Sequence, residues 1–443
     1  MRILVGNHID SSIQARKDMR SWTQRVLWFA RDGDCVILPG RVDEEFLSYV
    51  TGLTGVDPDS LKIHVPPPGE SGDHLLETRR LMDEGFLRAV AADLSEVTEI
   101  EPLWPSSALA GFAEALGLAD RLPGGRFLSQ SGGELVNNKA YFRVLAAAAG
   151  VPTAPGGVAH SVAEAVDLMT ALLRCSNAVM VKQAHNGAGG GNQIVLAGDD
   201  IETGHAGAKH VHRLGSGEDA IAAYWHERWA WASAGDRFPV VVERFQPRSS
   251  TIFSEHHLED SGTRPTETGS LGFVDRWLSE QVVPLRTVDD DVRARLVDGG
   301  TRLAETYRAV GHRGYISADA VIDDAGELIF TEVNARVSGT THVYEPIAHR
   351  IVDVWRAPER TIVDFHWPKR EWRLAGFAEF LDACTDLGCA YDPVDRIGVI
   401  VTTPFDDLRG LSFCVVHDID ETRDAIRRKL DERFRREPRP IDG

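Results

Sequence analysis

The segment "ISADAVIDDAGELIFTEVN" carries three oxygen-bearing side chains, Asp319, Glu332 and Asn334, within two apolar runs joined by an Asp-Asp-Ala-Gly turn. This pattern predicts an antiparallel hairpin. Glu332 and Asn334 sit two apart on one strand and so point to the same side, with Asp319 on the partner strand. Hard oxygen donors converging on one face suit Mg²⁺, with Mn²⁺ as an alternative, because Mg²⁺ is usually held by one or two carboxylates together with substrate phosphates. An exposed sheet face with ordinary charges is the plainer reading. Against it, the interleaved Ala318, Ala320, Phe330 and Val333 read as packed residues.

A second constellation precedes the first. Lys182 closes the apolar run "AVMVK", with Val179 and Val181 on one face and Met180 and Lys182 on the other. The tract "HNGAGGGN" follows, and then a second apolar run, "NQIVL". Without Cβ atoms, Gly187, Gly189, Gly190 and Gly191 let the main chain approach phosphate oxygens, present N–H groups and open and close over a nucleotide. The tract fits neither a P-loop nor the dinucleotide fingerprint, since a strand rather than a helix follows it. Strand, tract and returning strand describe a phosphate-covering hairpin. Lys182 beside it is placed to meet a phosphate oxygen as a point charge, or else is an edge-strand lysine in water. Lys139, at the start of a helix, says little alone, because helix-surface lysines are ordinarily solvated.

Several elements must position these residues. In "NNKAYFRVLAAAAGVPTAPGG", Asn137 or Asn138 caps a helix whose apolar stripe is Tyr141, Val144, Leu145 and Ala148, and Gly150 with Pro152 ends it. A helix at 161–174, a helical stretch around 217–233 and the strand "FPVVVERF" complete this region. Ahead of it, "RILVGN" and "DCVILPG" read as short buried strands of a small α/β layer that ends near residue 125. From about 368 a helix, two strands ("RIGVIVTT", "LSFCVVHD"), a charged helix and a disordered "PRPIDG" read as a small α+β unit. The division expected is 1–125, 126–365 and 366–443. The segment 247–276 has no readable code.

A chain of 443 residues, 43% hydrophobic and 26% charged, is ordinary globular material for two to three packed domains. Its net charge of −19, spread along the chain, argues against nucleic acid or an anionic membrane as partner, and a polyanion such as ATP then needs local cations or metal. The five cysteines are scattered without a CxxC pair, which fits a reducing cytoplasm better than a disulfide framework or zinc site. Neither a signal h-region nor a run of about 18 apolar residues is present. A homodimer is a possible assembly, being the commonest outcome among soluble oligomers.

Taken in order, Lys139, Lys182, the glycine tract, "VVVERF", Asp319 and Glu332-Val333-Asn334 resemble the ATP-grasp superfamily of carboxylate–amine ligases, over roughly residues 125–350. The fold this implies is α/β and α+β: an ATP-grasp domain behind a Rossmann-like pre-ATP-grasp domain, with a small α+β unit after it. The resemblance implies that Lys139, Lys182, His185 and Gly187 to Gly191 meet nucleotide phosphates, and that Glu243 with Arg244 and Phe245 holds adenine. It further implies that Asp319, Glu332 and Asn334 hold magnesium. Arg336, two beyond Asn334, would meet a substrate carboxylate or acyl phosphate through its planar fork, or else form a salt bridge within its loop. Where the D-alanine ligase branch has an arginine two residues before the metal aspartate, this chain has Ser317, so Arg336, Arg313 or His185 must meet transition-state charge. A ribose-binding acid after "ERFQPRSS" is also missing.

The layout and the "EVNARVSG" strand resemble the stand-alone peptide ligases of the pheganomycin type, implying amide formation between an amino acid or small peptide and an amine in secondary metabolism. The rivals are a carboxylase-type or other acyl-phosphate-forming enzyme, and a non-catalytic nucleotide binder. His256, His257 and His342 are either bases in the acceptor site or polar surface.

Overall fold

The computed structural model describes residues 1–8, 17–187, 189–198, 201–217, 219–365, 372–406 and 410–435. Four short strands, β1 (Arg2–Val5), β2 (Cys35–Ile37), β3 (Lys62–His64) and β4 (Glu99–Pro102), form a parallel sheet in the order β3-β2-β1-β4. β1 and β2 are near-continuous apolar runs because helices cover their sheet. Ile3, Val5 and Ile37 pack there against Phe86 and Val90 of helix Glu84–Asp93 and Leu109 and Phe112 of helix Ser107–Ala115.

The second sheet contains β5 (Gly156–Ala159), β6 (Ala178–Gln183), β7 (Asn192–Leu196), β8 (His210–Arg213) and β9 (Val240–Arg244), in the order β5-β9-β6-β7-β8. Val179, Val181, Val240 and Val242 cover helices Val162–Leu173 and Ala220–Ala232, which leaves Met180, Lys182 and Glu243 on the opposite face. β6 lies inside the sheet, so Lys182 is not an edge-strand residue.

The third sheet takes β10 (Ser249–Glu259), β11 (Gly262–Val274), β12 (Trp277–Val283), β13 (Gly314–Asp323), β14 (Leu328–Asn334), β15 (Thr361–Phe365), β16 (Gly398–Val401) and β17 (Phe413–His417). Their order is β14-β13-β10-β11-β12-β15-β17-β16. The region from 366 thus contributes two strands that continue the sheet of the central region, flanked by helices Phe377–Asp386 and Asp420–Phe434. Residues 436–443, which include the tail expected to be disordered, lie outside the described residues.

Helix Asp290–Val310 backs the third sheet. The Asp289 carboxylate accepts from the Val292 N–H at its start, Gly311 ends it at φ 116, and Leu296, Leu303 and Tyr307 pack on Ile252, Ile316, Ala320 and Phe330. The other face of the sheet is left for Glu255, Ser317, Asp319, Glu332 and Asn334. Ala318, Ala320, Phe330 and Val333 are buried, as their interleaving implied.

Two expectations need correction. Asn138 caps helix Lys139–Ala148, but the buried stripe runs through Phe142, Leu145 and Ala146, and Val144 is 59% exposed. The helix is rotated so that its inner side meets the third sheet's core, where Val333 and Phe330 lie. His256 projects toward helix Asp290–Val310, with Nε2 3.0 Å from Ser254 Oγ, on the face opposite Glu255. It therefore cannot line an acceptor site on the Glu255 face. Among the described residues no helix is long and apolar enough to cross a membrane.

Close approach of helix and sheet requires Gly300, where an added Cβ would lie 2.2 Å from Ser254 Oγ and 2.5 Å from His256 Nε2. Gly300→Ala is expected to cost about 1–3 kcal/mol by overpacking, measured as a lowered urea midpoint. An unchanged midpoint would contradict this packing.

Candidate active site

Antiparallel pairing sets Asp319 opposite Glu332 and Ser317 opposite Asn334, with a bulge between Asp319 and Ala320. Bulges re-aim side chains, and this one falls beside the expected metal ligands. Asp319 accepts from Ser317 Oγ at 2.9 Å and from Asn334 Nδ2 at 3.0 Å. Burial and the adjacent Glu332 push its carboxyl up. Burial acts the same way on Glu332, but Lys139 and Lys182 outweigh it and hold that carboxylate below its ordinary value. Among the described residues no three His, Cys, Asp or Glu converge to hold a metal; the set here is two carboxylates and an amide. It fits Mg²⁺, an ion that keeps several waters and takes phosphate oxygens.

The two lysines meet this face from different elements. Lys139, first in its helix, donates to Asn186 O at 2.7 Å and lies 3.1 Å from Glu332 Oε2. Lys182 lies 2.6 Å from Glu243 Oε1 and donates to Thr331 O at 3.0 Å. The second Glu243 oxygen accepts from Arg143 at 2.9 Å. Breaking a buried ion pair by removing one partner costs about 3–5 kcal/mol, because it strands the other charge. Glu243 therefore anchors cations, and the main-chain N–H groups of Arg244 and Phe245 are already bonded to Pro155 O and Ala178 O.

The tract between β6 and β7 folds over the same region. Gln183 N–H donates to Gly191 O, and Gly190 N–H donates to Gly187 O. Gly189 has φ +70, and an added Cβ would lie 2.8 Å from Gly207 O, so glycine is required there. A Cβ built on Gly187 would lie 3.9 Å from Arg336 Nη2, which brings lid and arginine together. His185 lies against the Phe238 ring, 3.4 Å from Asn138 Nδ2 and 3.9 Å from Glu134 Oε1, and burial lowers its pKa to about 4.

Sequence reasoning missed the residues that hold Arg336. Its guanidinium donates to Asn137 Oδ1 and lies 4.3 Å over the Trp104 ring. Asn137 also accepts from Ala335 N–H at 3.2 Å and donates to Gly133 O at 2.9 Å. Two adjacent asparagines before a helix were the only signal, and only Asn138 is the cap. Glu255 was also missed. It is 1% exposed, neither oxygen has a well-formed hydrogen bond, and the nearby hydroxyls are those of Ser317 and Ser338. Burial, then Asp319, pushes its carboxyl up to about 8.

Comparison with known proteins agrees with this architecture. A family model described as the pre ATP-grasp domain matches residues 23–118. No curated protein matches the sequence. Solved structures resemble the whole chain: the biotin carboxylase domain of Hydrogenobacter thermophilus 2-oxoglutarate carboxylase, in complex with MgADP, ADP and bicarbonate, has a TM-score of 0.59 at 14% identity over 98% of this chain and 90% of its own. The L-amino acid ligase of Bacillus licheniformis gives 0.55 at 14% identity over 98% of both chains. N5-carboxyaminoimidazole ribonucleotide synthetase of Thermus thermophilus gives 0.56 at 13% identity over 100% of both. The chain has a pre-ATP-grasp domain and the α/β ATP-grasp fold.

The buried carboxyl of Glu255 makes stability depend on pH. Its folded value of about 8 stands above the ordinary 4.5, so the folded state holds more protons in that window and loses stability as pH rises through it. Buried His256, lowered from 6.5 to about 4, acts oppositely but only below 6.5. Raising pH from 6.5 to 8 without Mg²⁺ or nucleotide should lower the urea midpoint, and Glu255→Gln should remove part of that fall. A fall of equal size in both proteins would contradict the assignment.

Proposed function

We propose that this protein is an ADP-forming carboxylate–amine ligase that joins an amino acid or small peptide to an amine through an acyl phosphate. The carrying observation is that Lys139, Lys182, the glycine lid and Arg336 gather on the face bearing Asp319, Glu332 and Asn334. Fold likeness alone does not choose among ligases and carboxylases. The arrangement of cations and the planar fork of Arg336 support carboxylate activation.

A carboxylate oxygen is a poor leaving group toward an amine, and transfer of the ATP γ-phosphoryl group onto it removes that obstacle. The protein's task is then positioning and charge compensation. Lys182 and Lys139 supply point charges for the phosphates, and the main chain at Gly187, Gly189, Gly190 and Gly191 covers them, with the N–H groups of Gly187 and Gly190 already bonded within the tract. The adenine would lie by the carbonyl edge at Arg244 and Phe245, with Glu243 fixing Lys182. Asp319, Glu332 and Asn334 would hold Mg²⁺, which supplies charge neutralisation at the phosphates. Arg336, stacked on Trp104 and fixed by Asn137, orients the carboxylate. The closed lid excludes water, so the acyl phosphate meets the amine instead.

Within this class the proposed setting is a cytoplasmic stand-alone peptide ligase of secondary metabolism, with residues 126–365 as the nucleotide unit. The five free cysteines agree with a reducing compartment.

Glu332→Ala should reduce ADP release with ATP, Mg²⁺ and mixed amino acids or peptides by about 10²-fold or more, with bicarbonate as a separate arm. Identical turnover in variant and parent would sink the metal role of Glu332. ADP release that needs bicarbonate and no amine would replace the ligase by a carboxylase.

A further inference from the structure

Behind Arg336 the first and third sheets enclose a cavity of about 280 Å³, at the lower end of small-molecule sites. One wall is the face of the first sheet that carries Leu4, Glu99 and Glu101, since pairing sets Leu4 beside Glu101 and Arg2 beside Glu99. The opposite wall includes His257 and Tyr315, which pair across β10 and β13. That pair lies four residues along β13 from Asp319, or about 13 Å at the strand rise. Arg336 and Val337 also line the cavity, and the Arg336 guanidinium lies beside Gly187 of the glycine tract.

Its polar groups are unevenly matched. Glu101 lies 2.9 Å from Arg2, and Arg313 is committed to Asp260 at 2.7 Å. Glu99 makes no ion pair among the described residues; Arg2 and Arg31 act on it only from a distance. Burial, and then Glu101, raises the Glu99 carboxyl. Glu259 pairs with His257 at 3.3 Å. Glu99, without an ion pair among the described residues, and Arg336 therefore line one cavity together with the apolar Val26, Phe29 and Leu103.

We propose that this cavity receives the tail of the carboxylate substrate, whose carboxylate lies at Arg336 and whose far end carries an ammonium or guanidinium group held by Glu99. The inference rests on the ligase reading and narrows its substrate class to acids with a cationic tail. Glu99 acts as a specificity residue, remote from the reacting atoms.

The test is binding, so that it does not depend on turnover. Calorimetry with MgADP present compares L-lysine and L-arginine with L-norleucine, and the alanyl dipeptides of lysine and norleucine, on the full chain. At least one cationic ligand should bind about ten-fold tighter than its neutral counterpart. Glu99→Gln should remove that preference with the norleucine affinity unchanged, and Glu99→Lys should favour L-glutamate over L-lysine. Equal affinities in the parent, or equal weakening of both ligands by Glu99→Gln, would overturn the proposal. Cationic preference without any amide product would leave it standing and count against the ligase reading. Amide formation confined to neutral acids would do the reverse.

Discussion

The site depends on how Lys182 is neutralised. Its ammonium group is nearly buried, paired with Glu243 on β9 and bonded to the Thr331 carbonyl on β14, so one side chain ties the lid sheet to the strand that carries Glu332 and Asn334. A buried ammonium is tolerable only when paired, and Arg143 on the second oxygen of Glu243 holds that carboxylate in place. The second sheet is thereby held over the row of Asp319, Glu332 and Asn334. In a chain of net charge −19, Lys139, Arg143, Lys182 and Arg336 make a local cluster of positive charge around this face.

A second constraint runs through Asn137. It links the Gly132–Val136 turn, Ala335 and Arg336, while Trp104 from the first domain supplies the ring on which Arg336 lies. The orientation of Arg336 is therefore set jointly by the pre-ATP-grasp domain and the loop after β14. Val337 N–H donates to Leu103 O at 3.2 Å, which fixes the same junction through the main chain. This seam draws residues from both sides of the junction, so no single stretch of sequence announces it.

The β13–β14 hairpin is legible in the sequence because apolar alternation, an Asp-Gly type turn and the E-x-N spacing all agree. Lys182 and the glycine tract are legible for the same reason: small residues between two apolar runs leave little else for the chain to do. β10 to β12 are not legible. Their stretch interleaves Glu255, His256, His257, Glu259, Arg264 and Glu267 with short apolar segments, and a bulge at Glu255/His256 shifts the two-residue period. The polar residues are tolerated because one face looks into the site while the other meets helix Asp290–Val310. The continuation of the third sheet into β16 and β17 is also invisible from local pattern, since strand partners far apart in sequence leave no periodic trace. The stretch Val343–Val352, with Pro346 inside it, forms a wide π-type turn for which the sequence gives only the proline as a warning.

The central claim is that the carboxylate is activated by phosphoryl transfer on the Lys182-anchored face. Its most direct test is to supply candidate carboxylates with heavy oxygen in the carboxyl group, together with ATP, Mg²⁺ and amine, and to weigh the inorganic phosphate released. Activation through an acyl phosphate predicts that one labelled oxygen appears in the phosphate for each amide formed. Amide formation with unlabelled phosphate would contradict the account.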